Sequence, residues 1–211
     1  MKISKNVLSI LSVMMVFATI LTSCGNTSTG RTNEVEGVKW NVAAYAVVPF
    51  DSIKLEGADK EAFRKVLPLR YSYTREESAK LDQLLKQNDS LLSAQGRVYK
   101  WVKYGEPEKM DLVIITGTPL LEQDVEVTEV NQLPPEYGNN LQVGFRFNDR
   151  RLWEEITTAN IGKRIAISVN GRVLNAPQVN SPITQGACTV TLPLEEAPTL
   201  LPNMDLSKSG K

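Results

Sequence analysis

Apolar and polar residues alternate most regularly in the second half of the chain, and this alternation predicts a β-rich fold. Every second position from Leu141 to Phe147 is apolar, which is typical of a strand that buries one face. The same reasoning predicts strands at 141–148, 164–169, 172–175 and 187–192. Asn170-Gly171 lies between the second and third of these strands and indicates a type I′ hairpin, in which both turn residues take positive φ.

Helical spacing of apolar residues appears in two segments. The first begins at Thr74, which forms a capping box with Glu77, continues as a leucine stripe to Leu92 and is expected to end before Gly96. We expect this stripe to pack on a sheet rather than bind a partner. The second helix is predicted at 150–160. The following residues are predicted to form the core around it: Phe145, Phe147, Trp153, Ile156, Ile165 and Ile167.

The first half of the chain and the C-terminus give shorter patterns. Strands are predicted at 40–50, 97–104, 111–116 and, as an edge strand, 125–130; a short helix is predicted at 60–67 and a loop at 134–140. Pro193 and Pro198 should limit the closing helix to one turn. The predicted fold class is therefore α+β, with a mostly antiparallel sheet and helices packed on one face.

The N-terminus has the pattern of a secretory signal. Lys2 and Lys5 precede an apolar run at 7–21, which is too short to span a bilayer as a helix. The following Leu21-Thr22-Ser23-Cys24 resembles the bacterial lipobox, which implies that residues 1–23 are removed and that Cys24 receives lipid. An ordinary signal peptide and a single-pass helix are the alternatives. Residues 24–37 are then predicted to be a flexible tether.

The position after Cys24 bears on location. Gly25 stands where an Asp would be the familiar signal for retention in the inner membrane. We therefore expect a lipid-anchored protein of the bacterial envelope that faces the periplasm, with the outer membrane favoured over the inner one.

Composition excludes several kinds of chemistry. The 211-residue chain has 24 basic and 24 acidic side chains and no histidine. Balanced charge argues against nucleic-acid binding, and the absence of histidine excludes Ser-His-Asp catalysis and His-ligated zinc. Two cysteines cannot form a disulfide framework, and the alternation around Cys188 favours a buried thiol. We therefore expect no cofactor, no metal site and no catalytic residues.

A series of motifs in the second half resembles a known family. The matching segments, in order, are 143–148, 157–163, 165–173, 175–177, Ile183, Gly186 and 194–197, with a weaker match at 113–130. This order resembles the head subdomain of the first periplasmic domain of SecD/SecDF, an accessory subunit of the bacterial export channel. The resemblance implies an α+β fold and a surface that engages emerging polypeptide. We accordingly divide the body into 38–109, an N-terminal α+β region of unknown family, 110–203, a head-like domain, and 204–211, a polar tail.

Three functions remain open at this stage. The favoured one is a lipid-anchored, non-catalytic module that binds unfolded polypeptide or the export machinery, and the membrane only through its lipid. The second is a structural subunit of an envelope complex. The third, a hydrolase, would need paired carboxylates, but those in Glu76-Glu77, Glu154-Glu155 and Glu195-Glu196 are adjacent in sequence and do not face each other on a helix.

Two surfaces are candidates for binding, although the sequence names no binding residue. One is an unpaired strand edge, to which an extended peptide could add as a further strand. The other is the loop 175–186, where Pro177 and Pro182 are expected to hold the backbone extended and leave carbonyl groups free.

Overall fold

The computed structural model of the chain describes residues 37–54, 61, 72–103 and 109–202. The predicted signal peptide, the predicted tether up to residue 36, the helix predicted at 60–67 and the tail at 204–211 lie outside these residues, apart from residue 61. In the described part of the chain, no helix is both long and apolar enough to cross a membrane.

Six antiparallel strands form the large sheet. They are β1 (Lys39–Ala46), β5 (Leu121–Gln132), β6 (Asn140–Arg146), β7 (Ile165–Val169), β8 (Arg172–Asn175) and β9 (Ala187–Pro193). Their order across the sheet is β8-β7-β1-β5-β6-β9. The predicted hairpin joins β7 to β8, and Asn170 and Gly171 have φ of 49° and 81°, as a type I′ turn requires.

One face of the large sheet buries the main core. The predicted core residues all lie there: Phe145 from β6, Phe147 directly after β6, Ile165 and Ile167 from β7, and Trp153 and Ile156 from helix α3 (Arg150–Ala159). The helix forms where it was predicted because Asp149 caps it, accepting a hydrogen bond from the Leu152 N–H at 2.9 Å. The sequence therefore located both the core face of β6 and the helix that covers it.

Three strands form the small sheet, in the order β2-β4-β3. They are β2 (Ser72–Thr74), β3 (Arg97–Lys103) and β4 (Lys109–Thr116). Tyr99 and Trp101 of β3 face a core shared with the helices, whereas Val98 and Val102 face the large sheet. The chain after β1 joins the two sheets, because the Val48 N–H donates to the Ile114 carbonyl at 2.8 Å.

The predicted leucine-stripe helix is interrupted. The structure contains α1 (Arg75–Gln87) and α2 (Asp89–Ala94), which meet at Asn88. The Asn88 side chain donates to the Leu84 carbonyl at 2.9 Å, and such local side-chain bonds compete with helical hydrogen bonds. The capping box at the start of α1 is present as predicted, with Thr74 and Glu77 bonded reciprocally.

Strand β5 corrects a second prediction. The segment 125–130 was expected to be a weak edge strand, but β5 has twelve residues and pairs with both β1 and β6. Its outer face carries the exposed side chains Glu122, Asp124 and Glu126. Because of these charged residues, the segment lacks the continuous apolar run that would predict a central strand. An antiparallel sheet can leave one face in water, so an interior strand can be half charged.

The chain closes with a short helix, as the prolines predicted. A 3₁₀ turn at Leu194–Glu196 leads into α4 (Ala197–Leu200), which has only four residues. The Trp40 indole N–H donates to the Leu200 carbonyl at 2.7 Å, so α4 is fixed against β1.

Candidate functional site

The first half of the loop 175–186 does not present the free carbonyl groups expected from its prolines. The Ala176 carbonyl accepts from the Arg164 Nε at 2.7 Å, the Pro177 carbonyl from the Ile165 N–H at 3.0 Å, and the Val179 carbonyl from the Gly162 N–H at 2.8 Å. These bonds attach the first half of the loop to the segment between α3 and β7. For this half of the loop the prediction was wrong, because an extended proline-containing segment can pair with a neighbour as readily as remain open.

The second half of the loop is also held at its ends. The Ile183 N–H donates to the Thr157 hydroxyl at 3.0 Å, and the Gln185 carbonyl accepts from Arg146 at 3.1 Å. Residues 177–178, 180–182 and 184–185 of the loop remain exposed. The loop is therefore attached to the fold at both of its ends, and the edges of the sheets are the remaining candidates for binding.

Strand β9 forms one edge of the large sheet. Alternate residues of an antiparallel strand direct both main-chain groups toward the same neighbour. The Leu194 N–H bonds to the Asn139 carbonyl and the Phe147 N–H to the Gly186 carbonyl, each at 2.9 Å, which assigns the even-numbered residues of β9 to β6. The outward main-chain groups of β9 therefore belong to Ala187, Thr189, Thr191 and Pro193, the last of which has a carbonyl but no N–H.

The middle of this β9 edge is already occupied. Strand β8, at the other end of the large sheet, contacts β9, and the Asn175 amide donates to the Thr189 carbonyl at 3.3 Å. The Thr189 main chain also bonds to the Cys188 thiol. An added strand would have to displace Asn175, which is only 7% exposed. The β9 edge is thus a poor site for strand addition.

Strand β3 forms a more open edge on the small sheet. The Gly117 N–H donates to the Gly96 carbonyl at 2.9 Å, and the register continues with Arg97 opposite Thr116. Even-numbered residues of β3 therefore pair with β4. The outward residues are Arg97, Tyr99, Trp101 and Lys103, and within the described ranges no group bonds to their outward main-chain atoms.

Three basic side chains lie along this strand. Arg97, Lys100 and Lys103 follow one another at intervals of three residues. Lys103 pairs with Glu195 of the 3₁₀ turn, whereas no described residue forms an ion pair with Arg97 or Lys100. We call the outward side of β3 and these three cations the β3 edge. The main-chain groups of the β3 edge have no partner among the described residues, and two of its cations, Arg97 and Lys100, pair with no described carboxylate.

The acidic pairs do not form carboxylate dyads. Glu76 pairs with Lys80 while Glu77 caps α1, and Glu155 pairs with Arg151. Glu195 binds Lys103 and Glu196 binds Arg172, so the two carboxylates of this pair also take separate partners. The hydrogen bond from Lys103 lowers the pKa of Glu195, the opposite of what a general acid needs. Within the described residues, no group of three potential ligands could hold a metal ion.

The two cysteines have separate outcomes. Cys188 packs against the main core, and burial raises the pKa of its thiol to about 12, so the thiol is protonated and unreactive at neutral pH. Cys188 as a whole residue is only half-buried, so the predicted buried thiol is confirmed in part. Cys24, the predicted lipid site, lies outside the described residues.

The sequence did not single out the residues of the β3 edge. A strand was predicted at 97–104, and its two faces were assigned correctly, but nothing in the local pattern shows that one side of it lacks a neighbour. The interval of three between Arg97, Lys100 and Lys103 is the signal that was available.

Comparisons with known proteins identify a related domain. Residues 102–200 match the family model described as SecDF, P1 head subdomain, which is slightly under half of the 211-residue chain. The match begins at the end of β3, so most of the β3 edge lies before it. No curated protein sequence is significantly similar to the chain.

Two solved structures are similar to parts of the chain. One is described as a membrane component SecDF that enhances protein export; it is 25% identical, the match covers 73% of this chain and 56% of that one, and the TM-score is 0.32. The other is SecDF in a super-membrane-facing form, with 22% identity, 76% and 17% coverage, and a TM-score of 0.35. The chain thus spans about half of the first relative and less than a fifth of the second.

Proposed function

We propose that this protein is a lipid-anchored, non-catalytic module of the bacterial envelope that binds extended polypeptide and is linked to protein export. The link to export is supported by the similarity of residues 102–200 to the SecDF head subdomain. Polypeptide binding is supported by the β3 edge, whose outward main-chain groups have no partner among the described residues.

Binding would occur by strand addition at β3. An extended segment placed alongside a strand edge gains a row of main-chain hydrogen bonds that do not depend on its sequence. Four residues of β3 offer outward donors and acceptors, and an open row of this length matches a typical short strand. A binder of this kind suits polypeptides that are extended and still unfolded.

Attachment to the membrane would use Cys24. Two or three acyl chains on one cysteine anchor a protein stably, whereas a single chain binds only marginally. Replacing Cys24 with Ser should abolish incorporation of labelled fatty acid and leave an uncleaved precursor. Unchanged labelling of Cys24→Ser would contradict the lipoprotein assignment without affecting the proposal for β3.

The binding test uses the full chain in detergent micelles and a fluorescent peptide of about eight residues, the length of a common strand. N-methylation of alternate peptide nitrogens removes the donors on one side of the peptide. One methylated set should abolish binding and the complementary set should weaken it much less, because only one side would pair with β3. Equal effects of the two sets would contradict strand addition.

A matched pair of variants locates the site. Tyr99→Pro removes an outward N–H that takes no part in the β4 ladder, and edge strands tolerate proline at such positions. Tyr99→Ala removes the same ring but keeps the N–H, so it controls for packing. Binding lost in Tyr99→Pro and retained in Tyr99→Ala supports the β3 site. No binding by wild-type protein, together with stable co-isolation in an envelope complex, would favour a structural subunit instead.

A further inference from the structure

We infer that the β3 edge prefers extended segments that carry Asp or Glu at every third position. This inference rests on the proposed function, since it concerns the same surface. It goes further by specifying the chemistry and spacing of the bound segment.

The spacing follows from the positions of the cations. Successive side chains of a strand point to opposite faces, so Arg97 and Lys103 lie on one face of β3 and Lys100 on the other. Tyr99 and Trp101 share the face of Arg97 and pack toward the core under α1 and α2. Charges on both faces of one edge can be matched only by a neighbour that alternates faces in the same way.

An added strand would place its side chains within reach of these cations. Residues directly opposite each other on adjacent strands have Cβ atoms about 4.5–5.5 Å apart, and opposite charges in such pairs are favourable. Carboxylates opposite Arg97, Lys100 and Lys103 are separated by three residues each. A segment with acidic residues at alternate positions would instead place all its carboxylates on one face. It could pair either with Lys100 or with Arg97 and Lys103, but not with all three cations.

Lys103 already pairs with a carboxylate of the chain itself, which would compete with a carboxylate of the bound segment. The Glu195 carboxylate binds Lys103, and the neighbouring Glu196 binds Arg172 at 2.6 Å, which holds the 3₁₀ turn against β3 and β8. Arg97 and Lys100 would therefore be the first to receive carboxylates. Lys103 would contribute only when an incoming carboxylate displaces Glu195.

The test compares three labelled peptides of about eight residues, with full-chain protein in detergent. One has Glu at every third position, the second has the same residues with Glu at alternate positions, and the third has Gln in place of Glu. Exposed ion pairs favour binding by about two- to fivefold each. The first peptide should therefore bind most tightly, and added salt should reduce its advantage over the Gln peptide.

Charge variants of the protein test which cations act. Lys100→Glu should abolish most of the preference for the Glu peptide over the Gln peptide, because repulsion at position 100 then offsets the attraction of Arg97. Lys163→Glu, at an exposed position after α3, is the control for net charge and should leave the preference unchanged. Glu195→Gln releases Lys103 and should tighten binding of the third-position peptide about two- to fivefold. Arg97→Glu, at the first residue of β3, repeats the test should Lys100→Glu fail to fold.

The possible results separate this inference from the proposed function. If all three peptides bind equally and the charge variants have no effect, the cations do not select the ligand and serve to keep other strand edges away. The inference is then wrong while strand addition stands. If no peptide binds and Tyr99→Pro behaves as Tyr99→Ala, the proposed function itself fails.

Discussion

Phe145→Ala is the sharpest test of the main core under the large sheet. The Phe145 side chain is 1% exposed, near the C-terminal end of β6. Its ring meets Trp40 of β1 edge to face, with centroids 6.1 Å apart, and meets Phe147 in the same way at 5.6 Å. Phe147 in turn contacts Trp153 of α3 at 4.5 Å, so the substitution removes a member of a connected aromatic cluster.

The expected cost follows from this environment. Truncating a buried Phe to Ala destabilises a protein by about 3–5 kcal/mol. Edge-to-face ring pairs contribute about 0.5–1.5 kcal/mol beyond the buried area. Because Phe145 loses two such contacts, we expect a loss in the upper half of that range, about 4–5 kcal/mol. For a chain of this size, that corresponds to a decrease in Tm of about 8–20 °C.

The assay is urea unfolding of the full chain followed by tryptophan fluorescence and circular dichroism. Phe145→Leu keeps most of the apolar volume and should lose about 1–2 kcal/mol. Leu152→Ala, at a position that is 36% exposed on α3, should change stability by less than about 0.5 kcal/mol. A loss below about 1.5 kcal/mol for Phe145→Ala, with an unchanged urea dependence, would mean that the assigned register of β6 is wrong.

Three further predictions concern single residues. Iodoacetamide should not modify Cys188 in the folded protein until urea is added, because burial raises the pKa of its thiol to about 12. Mass spectrometry detects the modification, and rapid modification of the native protein would contradict the burial of the thiol. Gly144→Ala would place a Cβ 2.6 Å from the Glu129 Cγ and should lower the free energy of unfolding in urea by about 1–3 kcal/mol. Adding Glu129→Ala to the same chain should restore most of this loss, and a double variant as unstable as Gly144→Ala would show that the clash lies elsewhere. Burial raises the pKa of Asp111 against the opposing effect of Ser72 and a nearby arginine, so the folded chain binds this proton more tightly than the unfolded chain does. Ionisation of Asp111 therefore destabilises the folded chain as pH rises. In thermal unfolding, Asp111→Asn should become more stable relative to wild type between about pH 3 and pH 7. A relative stability that stays constant or falls over this range would contradict the prediction.

The sequence by itself determined the local elements that depend on neighbouring residues. Alternation located β6 and its core face, the Asn170-Gly171 pair located the β7–β8 hairpin, and Thr74 with Glu77 located the start of α1. Each of these signals acts within a few residues along the chain, through side-chain burial, positive φ or capping hydrogen bonds. The short closing helix belongs to the same group, because Pro198 restricts the backbone locally.

Only the tertiary structure decided which strand edges are open. Strand pairing joins residues far apart in sequence, and no local pattern shows whether a strand has one neighbour or two. For this reason, the sequence predicted an edge strand at 125–130 although β5 lies between β1 and β6. It also predicted an open loop at 175–186 although several carbonyl groups of the loop, at residues 176, 177, 179 and 185, are bonded. For the same reason, the sequence predicted β3 as a strand but did not predict that it forms the edge of a sheet. Only the placement of strands distant in sequence shows that one side of β3 has no partner among the described residues.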